Sequence, residues 1–247
     1  MATHSDNLRQ ASVGAARAAA RVAGARVWLR RGLLAVLVLP AAYYVLCLAG
    51  LVYLRFLPPV ITMVQAQRAI ERVVEGERPV REYEWRSLDE LSRHMPRAVV
   101  AAEDSRFYQH HGFDWIELRR ARERAEARGE PMRGASTLTH QLIKNLYFTT
   151  HRNPVRKLYE WGLTLPAEWI LGKDRILELY VNVVELGPGI FGADAGARHH
   201  YGTPAAELSR QQAAGLAAVL PAPLRRRPQR MGGYTAIILG RMDRMGW

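Results

Sequence analysis

Apolar residues dominate one unbroken stretch near the start of the chain. Residues 32–54, GLLAVLVLPAAYYVLCLAGLVYL, contain no charged side chain. As a helix this stretch would rise about 35 Å, enough to cross a hydrocarbon core about 30 Å thick. Pro40 would kink it, which transmembrane helices tolerate. A buried core helix would be shorter and would carry a polar face. The apolar stretch of a cleaved signal peptide is roughly 7–15 residues, shorter than this one. The pattern therefore predicts an uncleaved membrane span, with cleavage after Ala49 as the alternative.

After the span the rhythm changes. Leu57-Pro58-Pro59 stops the first helix. Residues 65–74, 97–102, 136–146, 155–169, 173–184 and 204–220 carry apolar side chains at three- and four-residue spacings, which predicts helices. Ser209 or Thr203 is suited to cap the last of these, and Pro166 is expected to kink the helix that holds it. No run alternates like a strand, and neither a glycine-rich dinucleotide motif nor a P-loop is present. The fold class is mainly α. Four regions are expected: a basic segment over 1–31, the transmembrane helix over 32–54, a membrane-proximal stalk over 55–95, and a helical domain over 96–247.

Charge orients the span. Arg9, Arg17, Arg21, Arg26, Arg30 and Arg31 precede it against the single acid Asp6, whereas Arg55 alone follows closely. Positive flanks stay in the cytoplasm, so the N-terminus is expected there and the rest outside. The 247 residues carry a net charge of +12, nearly all of it from arginine. Such a surface attracts polyanions: nucleic acid, anionic lipid or a phosphorylated substrate. Nucleic acid is discounted, because much of the arginine lies in the flank that orients the span. One cysteine, Cys47, rules out an intrachain disulfide.

Three clusters carry candidate chemistry. Glu103 and Asp104 end the apolar run 98–102 within Glu103-Asp104-Ser105-Arg106-Phe107-Tyr108-Gln109-His110-His111-Gly112. A glutamate drawn partly out of water becomes a better base for a hydroxyl proton; the plain alternative is a solvated helix end. The second cluster, residues 133–145, runs small and hydroxyl residues into a helix whose first N–H groups could bind an anion. Thr137, Gln141 and Lys144 share a face there, although an ordinary N-cap reads the same way. The third holds Arg152, Arg156, Lys157 and Glu160, with Glu168 beyond. Arg156 and Glu160 are spaced to pair on one helix face, as a surface ion pair or as part of a cationic diphosphate site.

Taken in order, these stretches resemble the peptidoglycan glycosyltransferase family (glycosyltransferase family 51), in particular its monofunctional biosynthetic members. The pattern E-D-x-x-F-x-x-H-x-G is met at Glu103, Asp104, Phe107, His110 and Gly112. The pattern G-G-S-T-x-T-Q-Q-x-x-K-N is met at Gly134, Ser136, Thr137, Thr139, Gln141, Lys144 and Asn145. R-K-x-x-E falls at Arg156, Lys157 and Glu160, and I-L-E-x-Y-x-N at Ile176, Leu177, Glu178, Tyr180 and Asn182. Gly187-Pro188-Gly189, Gly192 and the closing Leu216 to Pro223 complete the series. Ala135 and His140 depart from it, standing where the family has glycine and glutamine; either could alter substrate grip or pH dependence.

The resemblance implies a lysozyme-like helical glycosyltransferase domain with a smaller membrane-facing lobe. It implies a donor glycan on undecaprenyl diphosphate, lipid II as acceptor, and inversion at the anomeric carbon. Glu103 would be the base and Glu160 the second essential carboxylate. Asp104, Phe107, His110, Ser136, Thr137, Gln141, Lys144, Asn145, Arg152, Arg156 and Lys157 would bind substrate. A divalent cation, Mg or Mn, is a candidate at the diphosphate. The implied setting is the outer face of a bacterial inner membrane, with penicillin-binding or divisome proteins as candidate partners. Neither S-x-x-K nor K-T-G occurs in these residues, so glycan strands without cross-linking are expected. The rivals are a lytic enzyme with a helix-borne glutamate, which needs no cationic cluster, and a tethered scaffold that binds lipid II without turnover.

Overall fold

The computed structural model describes residues 28, 30, 31, 34, 36–132, 134, 136–151 and 153–247. The expected segment 1–31 thus lies almost wholly outside the described residues, as do Arg133, Ala135 and Arg152. Helix α1 (Val36–Leu54) has a mean hydropathy of 2.1 over 19 residues and is long and apolar enough to cross a membrane. Val36, Leu39, Val45 and Leu46 are exposed on it. Such side chains suit lipid better than water.

Residues 47–247 form one compact unit. After the end of α1 come α2 (Met63–Val74), α3 (His94–Glu103), α4 (Trp115–Arg128), α5 (Leu138–Tyr147), α6 (Pro154–Val183), α7 (Ala193–Tyr201), α8 (Arg210–Ala217) and α9 (Gly232–Arg244). Residues 55–95 were expected to be a stalk, but they are built into this unit. Thr62 and Gln65 close a capping box at the start of α2, Gln67 bonds Thr150 at 2.8 Å, and Arg68 meets buried Glu185 at 3.0 Å.

A small sheet also escaped the alternation test, because its strands are too short to alternate. β1 (Glu82–Tyr83) pairs in parallel with β3 (Ile190–Phe191), which pairs antiparallel with β2 (Glu185–Gly187). The expected helix over 204–220 is a 3₁₀ turn followed by α8, with Ser209 capping α8. The run 155–184 breaks at Gly172 (φ 75°), and the helix continues through Pro166, where the kink was expected. Only glycine adopts that backbone readily.

α3 is the centre of the packing. It lies against α6, α8 and α9, while α5 packs on α6. Ala98, Val99, Val100 and Ala101 are fully buried on it; the alanines among them let neighbouring helices come close. The 176–192 motif is architectural. Asn182 donates to Arg86 O at 2.7 Å and accepts from Arg86 N at 2.9 Å, and Glu178 accepts from Leu88 N. Gly192 (φ 84°) brings its backbone so close to Asn182 that a Cβ would stand 2.4 Å from the Asn182 carbonyl oxygen. Gly129 has φ 63° but open space around it. Gly192→Ala should therefore cost more than about 2 kcal/mol, and Gly129→Ala only about 1 kcal/mol of backbone strain. Urea unfolding in detergent tests this; equal losses would refute the steric account.

Candidate active site

Glu103 is the last residue of α3, half-buried where the helix presents its free carbonyls. Burial pushes its carboxyl above the ordinary range, while Gln141, Lys144, Arg241 and Arg226 pull it back down. One chain of hydrogen bonds fixes its direction. Buried Tyr180 keeps its proton, its phenol pushed well above the ordinary value by burial and then by Glu103. It donates to Gln141 Oε1 at 2.9 Å, and Gln141 Nε2 donates to Glu103 at 2.8 Å. The amide is thereby locked with its N–H on the carboxylate.

Asp104 points inward. Its oxygens accept from Leu138 N at 3.0 Å and lie 3.0 and 3.2 Å from His110 Nε2. It thus ties the end of α3 to the first turn of α5, where a carboxylate is favoured. Phe107 is fully buried, with Lys173 Nζ 4.3 Å from its ring centre, and His110 is buried against Asp104. These three were expected to bind substrate; Phe107 and His110 build the joint behind Glu103, and Asp104 both belongs to that joint and lines the cavity beside Glu103. Thr137 caps α5 and donates to Gly112 O at 2.8 Å. Ser136 is exposed at the cavity wall and Asn145 is buried within α5.

On the other side of Gln141, α5 and α6 assemble the cationic cluster. Asn153 caps α6, with Pro154 in the first turn. One turn later, buried Glu160 stands 3.0 Å from both Arg156 and Lys157. Arg156 also donates to Thr149 O at 2.8 Å. Lys144 lies between the two acids. Burial lowers its pKa first; Glu160 and Glu103 raise it, and Arg156 and Lys157 oppose them. Glu168 bonds Thr139 and Lys173, a structural pairing.

A cavity of about 670 Å³ opens beside Glu103. Its walls include Asp104, Ser136, Thr137 and Gln141, and its cations are Arg106, Arg120, Arg124, Arg241 and Arg244. Sequence reasoning missed Arg120, Arg124, Arg241 and Arg244, because α4 has little apolar spacing and α9 lies far along the chain. Lys144, Arg156 and Lys157 stand outside this wall, so Glu103 has positive charge on two sides.

Among the described residues, the donors present do not fit a resident metal ion. Glu160 is committed to two cations. The closest alternative set, Asp104, His110 and Asp114, has ligand atoms within 4.8 Å of one another. Asp104 already serves Leu138 and His110, and Asp114 caps α4 while pairing with Arg106 at 3.1 Å.

A family model described as Transglycosylase matches residues 69–243. The biosynthetic peptidoglycan transglycosylase of Pseudomonas aeruginosa is 45% identical over 181 residues, 73% of this chain and 78% of that protein. Its counterpart from Xanthomonas campestris pv. campestris is 43% identical over 206 residues, 83% of each. That of Rhodospirillum centenum is 52% identical over 150 residues, 61% of this chain and 64% of its own.

His140, a departure from the expected pattern, has a local role. It takes the third position of the α5 capping box, with Nδ1 2.7 Å from Thr137 Oγ1. The Thr137 backbone N–H donates to Nδ1 at 3.4 Å, which closes the box, and among the described residues the buried Nε2 has no hydrogen-bond partner. Burial first, then Lys157 and His110, lower the imidazole's pKa to about 3. The unfolded chain takes up this proton near the ordinary value of 6.5, so the stability from neutral His140 is complete above that pH. It is lost progressively as pH falls toward 3. At pH 5 the loss is about 1–2 kcal/mol. His140→Gln should remove it, so its melting temperature should fall less between pH 7.5 and pH 5 than that of the wild type. Equal falls would exclude His140 as the source.

Proposed function

The chain belongs to the transglycosylase family, and from that premise we propose that it polymerises lipid II into glycan strands at a membrane surface. The observation that carries the reading is a partly desolvated carboxylate, Glu103, flanked by cations and opening on a cavity large enough for sugars. The donor is the growing glycan on undecaprenyl diphosphate and the acceptor is lipid II. Glu103 takes the proton of the acceptor's sugar 4-hydroxyl as that oxygen attacks the donor's anomeric carbon. The new C–O bond forms on the face opposite the leaving group, the bond from carbon to phosphate oxygen breaks, and configuration inverts.

The leaving diphosphate gathers negative charge as it departs. Lys144, Arg156 and Lys157 supply fixed positive charge for it, the electrostatic contribution that often dominates catalysis. Glu160 holds Arg156 and Lys157 in place, so that they do not have to reorganise during the reaction. A divalent cation, where one takes part, would arrive with the diphosphate.

The same turns of α6 meet the membrane. Val155, Leu158, Trp161, Leu165 and Trp169 form an exposed apolar stripe beside Arg156, Lys157 and Glu160. An apolar face of this kind suits the boundary between head groups and acyl chains, which is the depth of a lipid diphosphate. With the arginine-rich flank in the cytoplasm, the catalytic unit faces the periplasm of a bacterial inner membrane.

Labelled lipid II tests the proposal. Wild type should make long glycan, and Glu103→Gln should lose at least about 10²–10⁴-fold in rate. Binding without product would instead mark a scaffold, and shortening of preformed glycan a lytic enzyme. The rate should fall as pH drops through a value above the ordinary 4.5 of a glutamate, because protonated Glu103 cannot accept the hydroxyl proton. A rate flat down to pH 4.5 would remove Glu103 as the base.

A further inference from the structure

α9 reaches the catalytic acid without touching it through a hydrogen bond. Arg241, on its third turn, donates Nη1 to the carbonyls of Ala101 and Ala102 at 3.0 and 3.1 Å. These carbonyls belong to the last turn of α3, where Ser105 Oγ also donates to Ala101 O at 3.3 Å, and Glu103 is the next residue. A helix C-terminus carries partial negative charge, so it repels a carboxylate placed there. A guanidinium on those carbonyls cancels that field and fixes the last turn. The helix that brings it lies about 140 residues further along the chain.

We propose that Arg241 is a positioning residue for the polymerisation reaction, capping the carbonyls of α3 so that Glu103 stays ionised and aimed into the cavity. The inference rests on the assignment of Glu103 as the base. Other groups face Glu103 from every side: Gln141 and Lys144 on α5, Tyr180 on α6, and Arg226 in the segment after α8. Of these cations only Arg241 bonds the helix that carries the acid. Arg226 donates to Ala218 O and lies over Tyr234.

The test is the pH dependence of kcat/KM with full-length protein in detergent and labelled lipid II. In Arg241→Gln the acid limb should move up by about one unit, so the deficit approaches about tenfold at pH values below the wild-type limb and vanishes well above it. Arg241→Lys keeps a cation and one donor, and should recover most of the shift. Arg210→Gln separates this effect from loosening of α9. Arg210 bonds Leu239 O, Asp243 and Trp247 O, and ties α9 and the C-terminus to α8 away from Glu103. It should lower the melting temperature and leave the acid limb in place. A uniform loss at all pH values in Arg241→Gln, or an equal shift in Arg210→Gln, would overturn the proposal. Failure of wild type to polymerise would instead defeat the functional reading itself.

Discussion

The carboxylate proposed as the base, Glu103, stands at the carbonyl end of a buried helix, and that placement is unfavourable twice over. Burial takes water from Glu103, and the helix end adds negative potential. Left alone, the acid would hold its proton and could not act as a base. The structure answers with one hydrogen bond from Gln141, a nearby ammonium at Lys144, and a guanidinium on the α3 carbonyls. Three elements must therefore converge on one residue. α5 supplies Gln141 and Lys144, α6 supplies Tyr180, which holds Gln141, and α9 supplies Arg241.

The two acids of the site divide the work through their surroundings. Glu103 has one neutral donor and opens on a cavity, so its charge remains available for a proton. Glu160 is buried between two cations at 3.0 Å and has nothing to offer a substrate directly. Its worth is in the cations it organises: removing it would leave Arg156 and Lys157 half-buried and mutually repulsive. Lys144 lies between the acids. Burial favours its neutral form, while Glu160 and then Glu103 favour its charged one.

The parts legible in the sequence were those that bury one face. The helices holding Glu103, Gln141 and Glu160 showed apolar spacing because each packs along much of its length. α4 did not show it, since Ala121 alone is buried on it. Its ends were nonetheless marked: Asp114 caps it, and Gly129 closes it in the left-handed conformation. Capping residues could have found this helix where periodicity could not. Asp104, Phe107 and His110 were recognisable as a motif, but whether they faced substrate or interior depended on the turn after α3. That turn reverses at Asp104, with ψ at 72°, and no local pattern reveals it. His140 shows the same limit from the other direction. Glutamine is a familiar third residue of a capping box, and imidazole Nδ1 accepts from the same Thr137 backbone N–H, so the substitution keeps the box.

Arg241 was the least legible residue because its partners are backbone atoms. A side chain that recognises another side chain leaves a trace in residue types, such as the spacing of Arg156 and Glu160. A guanidinium on two alanine carbonyls leaves none, since any residue offers a carbonyl. Its position depends on α9 crossing α3 near its end, which follows from burial of Ile238 and Met242 on α9 and of Ala98 to Ala101 on α3. The path from packing to chemistry is therefore short. Apolar residues decide where α9 crosses, the crossing decides which carbonyls Arg241 caps, and the capped carbonyls contribute to the potential at Glu103, the proposed base.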